Sequence, residues 1–130
     1  MTRNKILIID DEQELINQLY FFLDEKGYIV QCCIDSEDGL KAVLENDYDV
    51  ILLDYNMPAI NKSEVFDKIK EKPNQKVIFL SDNCTDEAKF RVSGRENYPE
   101  GFVYKPFDLL EIKAIIDAVI SGINIYKSTT

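Results

Sequence analysis

Along this chain the apolar positions switch repeatedly between two periods. Short aliphatic runs at residues 5–10, 28–34, 49–54, 76–81 and 101–104 predict strands. Segments of helical spacing lie between them. Residues 12–26 carry Leu15, Leu19, Phe22 and Leu23 at spacings of three and four, and Gly27 stops the pattern. Ser36 is placed to cap a short helix through Leu40, Val43 and Leu44. Residues 62–72 carry Val65, Phe66 and Ile69, with Pro73 just beyond. Residues 85–92 make a weak helix, with only Ala88, Phe90 and Val92 to bury. Asp108 and Glu111 form a capping box ahead of a long helix reaching about residue 123.

Five strands alternating with five helices predict an α/β fold, a parallel sheet covered on both faces. Strands 1, 3 and 4 are continuous aliphatic runs, as central strands buried on both sides should be. Two helices hold more apolar residues than one face needs. With Leu15, Leu19 and Phe22 inward, the first helix leaves Ile16 and Tyr20 on another face, where they would join Pro106 and Phe107 in a patch for a partner. The last helix fits Leu109, Ile112, Ile116 and Val119 inward, leaving Leu110, Ile120 and Ile123 over.

Composition narrows the functional classes. At 130 residues the chain makes one domain, expected over residues 1–124, with residues 125–130 as a tail or the start of a linker. A formal charge of −9 argues against a nucleic-acid surface. No apolar run approaches a membrane span, and the first residues lead straight into a strand rather than a signal peptide. Three cysteines, two of them adjacent, suit reduced thiols in a cytoplasmic protein. With no histidine and no metal-type cysteine spacing, zinc is not expected.

The candidate chemistry sits where the strands end. In open α/β sheets, ligands bind at the carboxyl ends of the strands, near the point where strand order reverses. Strand 1 ends in Asp10 and Asp11, strand 3 in Asp54 with Asn56 behind it, strand 4 in Ser81 and strand 5 in Lys105. Taken singly, each acid reads as a helix cap, Ser81 as a turn residue and Lys105 as a solvated cation. Together they bring three carboxylates, a hydroxyl and an ammonium to one edge, and the carboxylates repel one another unless a cation lies among them. Few, hard oxygen ligands describe a Mg²⁺ site. Such a set suits phosphoryl transfer, with Asp54 as nucleophile, Asp11 and Asp54 holding the metal, and Lys105 and Ser81 contacting phosphate oxygens.

At this point the residues resemble a known family, the receiver domains of two-component response regulators. "IIDDE" is similar to the family's acidic pair, "LLDYNMP" to its phosphoacceptor segment, "FLSDN" to its hydroxyl strand and "KPF" to its lysine motif, in order over about residues 4–122. The resemblance implies a flavodoxin-like (CheY-like) doubly wound sheet of order 2-1-3-4-5. It further implies that a histidine kinase or histidine phosphotransfer protein phosphorylates Asp54. Asp11 and Asp54 would bind Mg²⁺ through side chains, Asn56 through its backbone carbonyl and Asp10 through water. Phe102, three residues before Lys105, takes the place of the switch aromatic, turning inward as Ser81 moves. The surface of helix 4, strand 5 and helix 5 becomes the expected site of a homodimer or effector contact. The family commonly has a cis peptide where this chain has Lys105-Pro106.

Some positions depart from that pattern. Asp82 stands where a small residue usually follows the hydroxyl, Lys62 stands where a glycine is expected, and "SGRENYPEG" lengthens the approach to strand 5. Asp82 therefore leaves a phosphorylation-independent docking module as an alternative. An aspartate-based phosphatase of the haloacid dehalogenase type wants an acid two residues after its nucleophile, and Asn56 is not one. A flavin or dinucleotide module wants a glycine-rich first turn, whereas this one is acidic.

Overall fold

Alternation of strand and helix leaves each strand parallel to its neighbours. The structure, a computed structural model, describes residues 3–57 and 62–123. Strands β1 (Lys5–Ile9), β2 (Ile29–Cys33), β3 (Val50–Asp54), β4 (Val77–Ser81) and β5 (Gly101–Tyr104) form one sheet of order β2-β1-β3-β4-β5. Helices α1 (Gln13–Glu25), α2 (Ser36–Glu45), α3 (Lys62–Lys70), α4 (Asp86–Val92) and α5 (Leu109–Ile120) cover its two faces. The expected flavodoxin-like, doubly wound topology is present. β3 and β4 are buried at every position, β1 from its second residue on, while β2 at the edge is only partly covered.

Because side chains alternate across a strand, the sheet divides the core in two. Leu7, Ile9, Ile51, Leu53, Phe79 and Phe102 face α2, α3 and α4 in a cluster rich in aromatic rings. Ile6, Ile8, Val50, Leu52, Ile78 and Val103 face α1 and α5. Each fully buried Ile or Leu contributes about 1.5–3 kcal/mol. The central strands are therefore the least yielding part of the molecule, and what their carboxyl ends carry is held on that base.

Local features differ from the sequence reading in helices α2, α1 and α4, and in part in α5. Asp35, not Ser36, caps α2, its extended backbone letting the carboxylate accept from the Asp38 N–H at 2.8 Å. In α1 the buried face is Ile16, Leu19 and Leu23, with Ile16 only 3% exposed. Leu15 and Phe22 are half-buried. Two apolar stripes were open to this helix, and packing of α1 beside α5 selected the one containing Ile16. The expected Ile16–Tyr20 surface pair therefore does not exist; Tyr20 stays exposed, edge-on to exposed Phe21. In α4, Ala88 and Val92 are exposed, and the helix buries Phe90 and the carboxylate of Asp86 instead. On α5, Ile112, Ile116 and Val119 are buried and Leu110 and Ile123 exposed, as read, but Leu109 is only half-buried and Ile120, read as left over, is half-buried against the same cluster.

The long approach to β5 is tied down by charge. Arg95 reaches Asp67 of α3 at 2.6 Å, and Asn97 donates to the same carboxylate. Glu100 pairs with Lys70 at 2.7 Å and accepts from the Val77 N–H. Its added length is thus absorbed against α3. Residues 58–61, next to Lys62 where a glycine is expected, and residues 125–130, expected as a tail or linker, lie outside the described residues.

Gly39 marks a close approach of α2 to β1: a Cβ there would lie 2.6 Å from the side chain of fully buried Ile9. Overpacking a core costs about 1–3 kcal/mol, more than the roughly 1 kcal/mol that alanine gains over glycine inside a helix. Gly39→Ala is expected to lower the urea midpoint of unfolding; a raised midpoint would show that Ile9 repacks freely.

Candidate functional site

The register of the sheet builds the site. Ile9 lies opposite Leu53, so the next residues, Asp10 and Asp54, leave the sheet side by side. Asp11 follows on the exposed side of the turn. Oxygen atoms of Asp10, Asp11 and Asp54 lie within 4.8 Å of one another. Asp10 is fully buried and Asp54 is 6% exposed. One oxygen of each is anchored by the turn that follows: Asp10 Oδ1 accepts from the Glu12 N–H at 2.8 Å, and Asp54 Oδ1 from the Asn56 N–H at 2.9 Å. These bonds aim the other oxygens, Oδ2 of each residue, at the same space.

Lys105 closes that space from β5, its backbone N–H bonded to the Ser81 carbonyl at 2.7 Å. The Lys105–Pro106 peptide is cis. Nζ of Lys105 stands 2.9 Å from Asp10 Oδ2, 2.8 Å from Glu12 Oε1 and 3.7 Å from Asp54 Oδ2. Burial works against its charge, but contacts with Glu12 and Asp10 outweigh that, and the lysine pKa is raised. Even so, one cation faces several anions. Burial, followed by repulsion from Asp10, pushes the Asp54 carboxyl up to about 7, against the Asn56 N–H bond and Lys105. Burial likewise raises Asp10. Asp10 Oδ2 is buried and, despite its proximity to Lys105, accepts no well-directed hydrogen bond.

Ser81 ends β4 one residue beyond Leu80, which pairs with Asp54. Its hydroxyl does not face open space. Ser81 Oγ lies 2.6 Å from Asp86 Oδ2 and 2.9 Å from the Asn83 carbonyl. Asn56 is turned the same way, donating from Nδ2 to Asp86 Oδ2 at 3.0 Å and accepting the Asp82 N–H at 2.7 Å. The Asp82 side chain is exposed yet stays 3.7 Å from Lys105 Nζ, at the rim of the site rather than turned away.

Phe102 is 8% exposed and already packs against Tyr55, Phe79 and Tyr104 at ring-centre distances of 5.3–5.9 Å. This ring is therefore buried in the unphosphorylated chain. A cavity of about 230 Å³ opens beside Asp54, bounded by Tyr55, Phe66, Phe79 and Phe90.

All seven residues singled out in the sequence thus gather at one end of the sheet: six at the carboxyl edge, and Phe102 beneath it. Two others were missed. Glu12 was visible only as the third acid of a run and shares Lys105 with Asp10. Asp86 carried no signal, because an acid in the first turn of a helix ordinarily reads as solvated.

The raised Asp54 carboxyl makes stability depend on pH with a definite sign. The folded chain holds this proton more tightly than the unfolded chain, whose value is near 3.8. The contribution is fully present below that value and is lost as pH rises through about 7. Urea midpoints of the metal-free protein are expected to fall across that window, and less steeply in Asp54→Asn. Equal slopes in the two proteins would remove Asp54 as the cause.

Comparison with known proteins agrees with this geometry. The family model for the response regulator receiver domain matches residues 6–117. The response regulator ArlR of Staphylococcus aureus is 33% identical over 116 residues, covering 89% of this chain and 52% of that protein. The chain thus spans about half the length of the curated relatives it matches. A response regulator receiver domain protein from Methanospirillum hungatei shares the fold at a TM-score of 0.81, with 20% identity over 92% of this chain and 95% of that one. The response regulator TrrA of Thermotoga maritima, solved in complex with Mg²⁺-BeF, is 29% identical with a TM-score of 0.76, covering 89% of this chain and 98% of that one. On the sheet, the edge cluster and the family match together, this chain belongs to the receiver domains of two-component response regulators.

Proposed function

We propose that the chain is a phosphorylation-driven switch that accepts a phosphoryl group on Asp54 from a histidine kinase or histidine phosphotransfer protein. The observation that carries this reading is the convergence of the Asp10, Asp11 and Asp54 carboxylates beneath Lys105. An array with a buried Asp10 oxygen lacking a directed hydrogen bond suits a small, hard dication. Asp10, Asp11, Asp54 and the Asn56 backbone carbonyl are the residues to hold Mg²⁺. The ion would offset the charge of the carboxylates and of the incoming phosphoryl oxygens.

Ionised Asp54 is the nucleophile: its oxygen bonds to phosphorus as the P–N bond of a phosphohistidine breaks, and the imidazole leaves with the electron pair. Lys105, held in place by Glu12 and Asp10, supplies a fixed positive charge to a phosphoryl oxygen. Ser81 donates to another. The chemistry is self-directed, phosphotransfer onto Asp54 and its later hydrolysis, rather than turnover of an external substrate. Asn56 cannot serve as the second acid of a phosphatase. Tyr20, Pro106 and half-buried Phe107 remain on the surface for a kinase partner, without Ile16. Output is assigned to the face of α4, β5 and α5, where Leu110 and Val92 are exposed, through a homodimer or an effector. Among the described residues no helix is long and apolar enough to cross a membrane.

Acetyl phosphate with Mg²⁺ is expected to label the parent and not Asp54→Asn, and Mg²⁺ alone is expected to raise the melting temperature at neutral pH. Labelling of the mutant would overturn the assignment. A parent that neither labels nor binds beryllofluoride would leave the docking-module reading. Beryllofluoride is also expected to increase the sedimentation coefficient or partner affinity in the parent and not in Leu110→Glu; insensitivity to that substitution would move the output elsewhere.

A further inference from the structure

The hydroxyl of Ser81 has a single proton to donate, and two acceptors lie within its reach. Asp86 Oδ2 lies 2.6 Å away, nearer than the Asn83 carbonyl at 2.9 Å, and as a carboxylate it is the stronger acceptor. Asp86 is 6% exposed, an unusual place for a carboxylate in the first turn of a short helix. Its Oδ2 also accepts from Asn56 Nδ2, so one oxygen ties together the loops after β3 and β4. The neighbouring Glu87 accepts from the Tyr104 hydroxyl at 2.6 Å and pairs with Arg91 at 3.2 Å. The first turn of α4 is thus fastened to the site by Asp86 and to β5 by Glu87.

We propose that Asp86 is a positioning residue for phosphoryl binding: it holds the Ser81 hydroxyl in the unphosphorylated chain and loses it when a phosphoryl group on Asp54 takes that donor. This rests on Asp54 being the phosphoacceptor. One hydroxyl proton cannot serve a phosphoryl oxygen and Asp86 Oδ2 together. Once Ser81 turns, the buried Asp86 Oδ2 keeps only the Asn56 Nδ2 donor, a loss of hydrogen bonding that is relieved by moving the first turn of α4 toward water. The cavity bounded by Tyr55 and Phe90 gives the underside of α4 room to repack. Phe102 being already buried, this turn, and not that ring, is the element left to move. Asp86 therefore sets both the resistance to phosphoryl binding and its link to α4.

The test is beryllofluoride affinity with Mg²⁺, followed by fluorine NMR, in the parent, Asp86→Ala, Ser81→Ala and the double variant. Asp86→Ala is expected to bind about tenfold tighter than the parent, the order expected for one charge-assisted hydrogen bond. In the Ser81→Ala background the same substitution is expected to change affinity far less, because no hydroxyl remains to be released. Asp86→Asn, which keeps the shape and an acceptor oxygen, is expected to fall between parent and Asp86→Ala, and guards against loss of folding in the alanine variant. Backbone amide signals of Asp86 and Glu87 should shift on beryllofluoride addition in the parent and much less in Ser81→Ala. Equal gains from Asp86→Ala with and without Ser81 would mean simple charge removal and overturn the positioning role. No gain, or weaker binding, would also overturn it. A parent that binds no beryllofluoride would instead defeat the reading of Asp54 on which the proposal stands.

Discussion

Like-charge repulsion at the carboxyl edge of the sheet is the constraint on which the rest of the site depends. Asp10, Asp11 and Asp54 are pressed together by the pairing of β1 with β3, and burial removes the water that would screen Asp10 and Asp54. Lys105 offsets part of this, and the Glu12 and Asn56 N–H groups hold one oxygen each of Asp10 and Asp54. Burial, with the remaining repulsion from Asp10 added to it, raises the Asp54 carboxyl. Removing one partner of a buried charged set usually costs more than the set contributes, which makes such an arrangement costly for stability and suited to binding. The fully buried aliphatic strands behind it provide the rigidity that holds the charges in place.

From that strained edge, hydrogen bonds lead outward in one direction. Ser81 and Asn56 both point away from the carboxylate cluster and toward Asp86, and Glu87 continues the line to Tyr104 on β5. α4 has little apolar surface of its own, with Phe90 as its one buried ring, so polar contacts decide where its first turn sits. A first turn held by polar bonds shifts more readily on the loss of one donor than α5, which has Ile112, Ile116 and Val119 in the core. The weakness of α4 seen in the sequence is thus a physical property with a consequence, because the site is wired to the least anchored helix.

Much of this protein was determined locally. The two hydrophobic periods define the elements, because a strand buried on both faces must be continuously apolar and a covering helix only on one stripe. Parallel strands fed in order then oblige Asp10, Asp54, Ser81 and Lys105 to emerge at the same edge. Where two stripes were equally apolar, as with Leu15 and Ile16 on α1, periodicity could not choose, and the packing of α1 beside α5 did. Asp86 was illegible for a different reason: an acid near a helix start looks solvated until a hydroxyl and an amide from other loops are brought against it. The side of the sheet on which each residue lies follows from neighbours in the chain. The partner that satisfies a buried polar group follows from residues far along it, and only the tertiary structure brings those together.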